Sequence, residues 1–310
     1  MFACRILKPK YMQLSKVFHL SRVFFAAVCC LLTACGEADN NGKEKKDTTR
    51  QKAKDEVIRN VSEAVKQLPR VQELPDLLAS AGIDDFYENL INPTKNTDKY
   101  LTTNDLSAIN FGIYAIDLGY VLNYEKIQLG SEYMQSCKKL ADKIGVTSAI
   151  EKETIERFGK NLDKKDTLIK IANETVQNID KYLRANQRAS ISAVILGAMF
   201  VEALHISTSI ISMPTEYDKN TKDQIFGRMV KIIVDQEKSL DDAINSLETV
   251  QLDSKGKELL EGLKSIKKIY TEKKYTEKFA TYQGGNVPVS TEDLKPLLAE
   301  VKKVRNSLLQ

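Results

Sequence analysis

The sequence predicts an all-α protein, a compact antiparallel bundle of about nine helices that follows a cleaved signal and a polar tether. Three observations carry this expectation. From about residue 55 onward, apolar residues recur at three- and four-residue steps, the period of an amphipathic helix. No convincing run of alternating apolar and polar residues marks a half-buried strand. The connections, punctuated by Pro and Gly, are short, which makes sequence neighbours antiparallel.

Taken in order, Val57, Ile58, Val61, Ala64, Val65 and Leu68 form the first apolar stripe, which Pro69 ends. Pro75 opens a short helix closing at Gly82, and 84–91 forms another, ended by Pro93. Thr103 or Asn104 caps a long apolar helix reaching about Lys126. A helix over 131–144 follows, with Gly145 as its C-cap. Residues 147–158 read as amphipathic, and Asp166 opens a helix through Leu183. The most apolar segment, 189–213, stops before Pro214. One long helix is predicted over 221–250 and another over 254–270. After the loop 284–288, Ser290 or Thr291 caps the last helix, whose apolar stripe is Leu294, Leu297, Leu298, Val301 and Val304, with Pro296 in its first turns. The common helical repeats have no consensus match.

Two of these helices, around 109–121 and 191–205, are apolar on nearly every face, so each is buried or lies in a membrane. The second is long enough to span a bilayer, but Glu202, His205 and four nearby serines argue for a core helix. Each places a glycine five residues before a single acid, Gly112 before Asp117 and Gly197 before Glu202. The glycines would let neighbouring backbones approach closely, and the shared spacing hints at duplicated hairpins.

The N-terminus reads as an address. Lys16 and Arg22 precede the apolar run 23–32, and Leu32-Thr33-Ala34-Cys35 has the form of a lipobox. The apolar core is well short of the ~20 residues a membrane span needs. The expected organisation is a cleaved signal over 1–34, a lipidated Cys35 with a flexible tether over 35–54, and one helical domain over 55–310. Met12 is a plausible start. The tether reaches roughly 25 Å as a flexible chain. Its acidic beginning, Gly36-Glu37-Ala38-Asp39, loosely resembles the signals that route Bacteroidota lipoproteins to the cell surface, leaving the periplasmic or the surface face of the outer membrane open.

Removing 1–34 takes away five of the 46 basic residues and none of the 42 acids, so the formal charge moves from +4 to −1. The remaining lysine pairs, such as Lys138-Lys139, Lys267-Lys268 and Lys273-Lys274, read as solvated helix surface, and no nucleic-acid partner is expected. Of five cysteines, three belong to the signal and Cys35 is lipidated, so only Cys137 remains and no intramolecular disulfide can form. It reads as a small buried hydrophobe.

Polar residues in the two apolar helices are the candidate site: Asp117, Glu202, His205, Tyr114 and Tyr120. Structurally, Tyr114 or Tyr120 would donate to Asp117, and Glu202 would pair with His205 or share a proton where the helices cross. Functionally, the same residues would line a ligand pocket in which perturbed carboxylates act as acid or base. Glu202-Ala203-Leu204-His205 spells Glu-x-x-His, but a di-iron bundle needs the motif twice and the mature chain keeps one histidine. No catalytic residue and no metal ligand is assigned, and no cofactor beyond the lipid on Cys35. Phosphate-binding, nucleophile-elbow and zinc-protease motifs are absent from the sequence. Asp218-Lys219-Asn220-Thr221-Lys222-Asp223 begins like a calcium loop but lacks its glycine, and reads as a loop entering a helix cap. On this reading Glu202→Leu leaves folding intact or improved.

The segments Asn110-Phe111-Gly112-Ile113-Tyr114-Ala115-Ile116-Asp117-Leu118-Gly119-Tyr120 and Gly197-Ala198-Met199-Phe200-Val201-Glu202-Ala203-Leu204 resemble a family of all-helical Bacteroidota lipoproteins of uncharacterised function. The likeness spans roughly 100–215 and departs at Met199, where an aromatic is expected. It implies fold and address and carries no catalytic residues. The expected function is a membrane-anchored binding or scaffold module of the envelope, with an unknown protein or small-molecule partner. The alternatives are a hydrolase or metal-dependent enzyme using Glu202, His205 and Asp117, and a structural envelope protein.

Overall fold

The computed structural model describes residues 85–150, 152–213, 218–280 and 288–310. The expected signal with Cys35, the expected tether, the helices expected over 57–68 and 75–82, and most of the loop 284–288 lie outside these. Among the described residues there is no strand, and ten α-helices follow one another: α1 (Asn104–Asn123), α2 (Ile127–Lys143), α3 (Lys152–Gly159), α4 (Lys165–Ala185), α5 (Ala189–Ile211), α6 (Lys219–Val234), α7 (Glu237–Glu248), α8 (Ser254–Lys273), α9 (Tyr275–Ala280) and α10 (Lys295–Leu308). Ahead of α1 lie two 3-10 turns, Glu88–Leu90 and Thr94–Tyr100.

Helix α5 is the axis of the bundle. It packs against α1, α4, α6, α7, α8 and α10, most extensively against α1. By length and composition it is apolar enough to cross a membrane, yet 94% of its most apolar window is buried inside the protein. Polar residues are tolerated there because they turn back on the helix itself. Ser207 Oγ donates to Ala203 O at 2.7 Å and Thr208 Oγ1 to Leu204 O at 2.6 Å. Helix α1 does the same, with Asn110 Nδ2 on Leu106 O and Asn123 Nδ2 on Gly119 O.

Helices α1 and α2 are antiparallel, as their short connection requires. Along α1 and α2, Leu122 lies by Gly130, and Tyr114 meets Tyr133 edge-on. The central pair α1 and α5, separated by three other helices, runs in one sense: Gly112 lies against Ile195–Met199 backbone and Asp117 against Glu202. Gly112 earns its place there, since a Cβ would sit 2.5 Å from Ile195 O. Gly197 differs from expectation. It faces leucine side chains of α7 and α8 rather than a neighbouring backbone, so the two glycines do not repeat one environment.

Thr103 caps α1, its Oγ1 accepting from Leu106 N at 3.1 Å. Gly145 follows α2 at φ +67°, with Gly145 N on Asp142 O and Val146 N on Ala141 O, the paired bonds of a Schellman ending. Helix α2 starts four residues earlier than expected because Gly130 sits inside it, pressed against Leu122. The helix expected over 147–158 divides at Ile150, which is extended and buried, into a 3-10 turn and α3. The single helix expected over 221–250 is two. Tyr270 Oη donates to Ile233 O at 2.7 Å and Gln236 Nε2 to Ile232 O at 3.1 Å, so side chains take carbonyls a continuous helix would use. Asp218 does serve as a cap, accepting from Thr221. Ser290 and Asp293 bond reciprocally, but around a 3-10 turn, and α10 proper begins only at Lys295. Lys267 is not plain surface: it joins α8 to Glu237 and Asp241 of α7.

The close α1–α5 crossing gives a paired prediction. Gly112→Ala should destabilise the fold by about 1–3 kcal/mol, the range for overpacking. Gly119→Ala, where nothing lies within 4 Å of the added Cβ, should gain about 0.5–1 kcal/mol. Urea unfolding monitored by circular dichroism reads both, and equal effects would show that the crossing is not tight.

Candidate functional site

Asp117 projects from the middle of α1 and Glu202 from the middle of α5, and both have zero exposure. Their meeting follows from the parallel crossing set by Gly112. What the sequence did not reveal is the group between them and the third helix: Arg305 of α10, only 7% exposed. Its Nε donates to Glu202 Oε2 at 2.6 Å and its Nη2 to Glu202 Oε1 at 2.8 Å, a bidentate pair, while Nη2 also reaches Leu90 O at 3.2 Å. The signal was present but faint. Arg305 falls on the inward stripe Leu297, Val301, Val304 and Leu308, where a cation without a partner would be costly.

Electrostatics separates the two acids. Burial pushes the Glu202 carboxyl up, but the Arg305 guanidinium outweighs it and holds Glu202 below the ordinary glutamate value. Burial, then the adjacent Glu202 charge, push Asp117 well above the ordinary aspartate value, against the pull of Arg305. Asp117 is therefore the neutral partner. Its Oδ2 accepts from Asn92 N at 3.0 Å, and its Oδ1 is buried with no donor facing it. A proton on Oδ1 donated to Glu202 removes that deficit and joins the two carboxyls.

His205, 5% exposed, does not pair with Glu202 as a cation. Burial lowers its imidazole to about 4 despite the Glu202 charge, it shares a hydrogen bond with the Leu90 backbone, and its Nδ1 is unpartnered. The four ionisable groups thus hold one negative and one positive charge.

The tyrosines depart from expectation. Neither Tyr114 nor Tyr120 donates to Asp117. Tyr114 Oη donates to Pro93 O at 2.9 Å, and Tyr120 Oη accepts from Tyr87 N at 3.1 Å. The side chains i±3 from Asp117 point past it, toward the segment 86–101 that lies over this end of the bundle. Tyr133 of α2, which sequence reading did not single out, donates to Asn92 O at 2.8 Å. Burial lifts the phenols of Tyr114 and Tyr133 far above the ordinary range and that of Tyr120 to about 12.

Chemically, this is a closed set. Both Glu202 oxygens receive guanidinium hydrogens, and among the described residues no group of three His, Cys, Asp or Glu side chains is placed to hold a metal ion. Cys137 is free and buried, with its thiol raised by burial, then by Asp117. A second acid pair lies elsewhere, where the first turn of α1 meets the cap of α8: burial, then a hydrogen bond with Asp253, lifts Asp105 to about 6. Comparison with protein-family models, curated proteins and solved structures finds no match.

Two predictions follow from this geometry. With Arg305 in view, the expectation for Glu202→Leu reverses: it and Arg305→Met should each cost about 3–5 kcal/mol, and the double variant should recover most of the loss. Asp117→Asn, which keeps an acceptor for Asn92 N and a donor for Glu202, should change stability by less than about 1 kcal/mol; a large gain in urea midpoint would mean that Asp117 is ionised. The second concerns pH. His205 titrates near 6.5 unfolded and about 4 folded, so between those values the unfolded chain binds more protons and stability falls as pH falls. The loss contributed by His205 is at most roughly 3 kcal/mol. The difference in unfolding free energy between the protein and His205→Gln, measured at pH 7 and pH 4.5, isolates it from opposing groups such as Asp105, and no change in that difference would sink the assignment.

Proposed function

We propose that the chain is a lipid-anchored module of the bacterial envelope, held at the outer membrane through Cys35, that binds a protein or small-molecule partner and does not catalyse a reaction. The anchor rests on one sequence observation: basic residues, an apolar run too short to span a bilayer, then Leu32-Thr33-Ala34-Cys35. Acyl chains added together at such a cysteine make a durable tether, whereas a single chain binds only marginally.

The non-catalytic part of the reading is supported by the state of the buried acids. An acid or base catalyst must present a proton or lone pair to a substrate. Here the Glu202 oxygens are taken by Arg305, Asp117 lies against Glu202, and both side chains are wholly enclosed. The perturbed acids are therefore best read as structural members of the core.

Labelling of expressing cells with an alkyne fatty acid tests the anchor. The protein should carry the label and fractionate with membranes, and Cys35→Ser should lose the label and leave the membrane fraction. Retention of label by Cys35→Ser would refute lipidation at this residue. Elemental analysis of the purified protein tests the rest: stoichiometric zinc or iron abolished by His205→Ala would overturn the non-catalytic reading.

A further inference from the structure

The start of α8 is capped by two carboxylates that come from distant parts of the sequence. Asp253, the N-cap, accepts from Lys255 N at 2.8 Å and from Gly256 N at 2.9 Å through Oδ1. The N-cap's own N–H goes to the first turn of α1, where Asp253 N donates to Asp105 Oδ2 at 3.2 Å. In a capping box, the side chain of the third helical residue reaches back to that N–H. Here the third residue is Gly256, which has none, and a Cβ added to it would lie 2.6 Å from Asp105 Oδ2. Asp105 stands in that place from 148 residues away, so one carboxyl joins the starts of two helices.

Asp105 is 8% exposed, and the charged groups around it leave it without a cation. From α8, the titratable group that faces it is Asp253. Lys255 Nζ is held by Glu258 Oε2 at 2.9 Å, and Lys257 is exposed. At the end of α7, Glu248 is paired with Lys264. Ahead of α1, Asp98 is paired with Lys139, and Lys99 lies over the Tyr100 ring. Along α1 itself the next charged residue is Asp117. Burial, then the Asp253 carboxyl, lift Asp105 to about 6, against the main-chain N–H groups of Asp253 and Gly256. The Glu202–Arg305 pair has its own cation; this second pair of acids has none.

We propose that Asp105 and Asp253 form a pH-operated latch between α1 and α8, closed while Asp105 holds a proton and loosened when it gives that proton up. Protonated, Asp105 donates to the Asp253 carboxylate and still accepts Asp253 N. Ionised, it sets a second anion against the first with no cation between them. The folded carboxyl titrates above the ordinary aspartate value of about 4, so the folded chain binds the additional proton between about 4 and 6. The latch's contribution to stability is therefore full below this window and is lost as pH rises through it. What loosens is the first turn of α8 and its link to α7. The inference goes beyond the envelope reading and does not depend on lipidation.

Asp105→Asn tests it, because the amide keeps an acceptor for Asp253 N and a permanent donor for the Asp253 carboxylate. Urea unfolding of the full chain and of this variant is compared at pH 7.5 and pH 4.5. The variant should have an unfolding constant about ten-fold lower than the unaltered protein at pH 7.5, and one nearly equal to it at pH 4.5. Asp253→Asn, which retains a capping side chain, should shrink the pH-dependent difference without abolishing it, since burial also raises Asp105. If Asp105→Asn changes the unfolding constant by the same factor at both pH values, Asp105 is an ordinary acceptor and the latch is refuted. Hydrogen exchange on the unaltered protein keeps the proposal open to refutation should the variant not fold. After correction for intrinsic rates, protection of the Lys255 and Gly256 amides should fall about ten-fold between pH 5 and pH 7.5, while amides in the middle of α8 hold theirs. Equal protection of the Lys255 and Gly256 amides at the two pH values, or a parallel fall along the whole helix, overturns it.

Discussion

An ion pair sealed inside the bundle is the constraint on which the rest depends. Moving a carboxylate and a guanidinium out of water costs several kcal/mol for each ion, and their attraction offsets this only when geometry is good and the remaining donors are satisfied. Glu202 and Arg305 have that geometry, and Arg305 finds a further acceptor. Two short parallel hydrogen bonds join them, and Arg305 Nη2 spends its remaining capacity on Leu90 O. The pair fixes α10 in one register against α5, because sliding α10 by a turn would leave both charges unpaired in a dry core. It also fixes where the strap of residues 86–101 crosses, since Leu90 O is one of the acceptors.

Neutrality elsewhere in the cluster follows from that pair. With Glu202 charged and compensated, a second carboxylate beside it has no cation of its own, so Asp117 keeps its proton. Burial, helped by the Arg305 charge, outweighs the pull of Glu202, so His205 stays neutral. The main-chain groups of the strap then supply what the helices lack: a donor for Asp117 Oδ2, and acceptors for Arg305, Tyr133 and Tyr114. Irregular chain is tolerated over the core because polar groups that it brings inside find partners on the helices or within the segment itself.

Much of this fold was legible in the sequence, and the reason differs from element to element. The burial of α1 and α5 followed from apolar residues on every face, and the end of α2 from a glycine with positive φ. The division at 235–236 was not legible, because it is imposed by Tyr270 from another helix, and local periodicity carries no trace of a distant hydroxyl competing for a carbonyl. The meeting of Asp117 and Glu202 could be anticipated from two all-buried helices each carrying one acid. Arg305 could not be assigned so easily. It lies 103 residues from Glu202, and on an amphipathic helix that also carries three lysines a lone arginine reads as surface unless its place on the apolar stripe is weighed. The tyrosines show a related limit. Spacing placed Tyr114 and Tyr120 beside Asp117 on the helix, but direction within the turn, and the strap as a richer source of partners, decided where their hydroxyls went.

The same network bears on what a perturbed carboxyl means. Strongly shifted acids gather at active sites, and Asp117 taken alone would qualify as a candidate general acid. The inference also requires access, and here every feature that shifts the pKa also removes the group from reach. Burial raises it, the neighbouring Glu202 both raises it and receives its proton, and the atom left over accepts from a main-chain N–H of the strap. A catalytic acid is raised so that it can give its proton to something that arrives. Asp117 is raised by burial first and by the adjacent Glu202 charge second, and ionising it would leave two adjacent carboxylates facing one guanidinium. The shift therefore measures how firmly the acid is built into the core rather than a readiness to react.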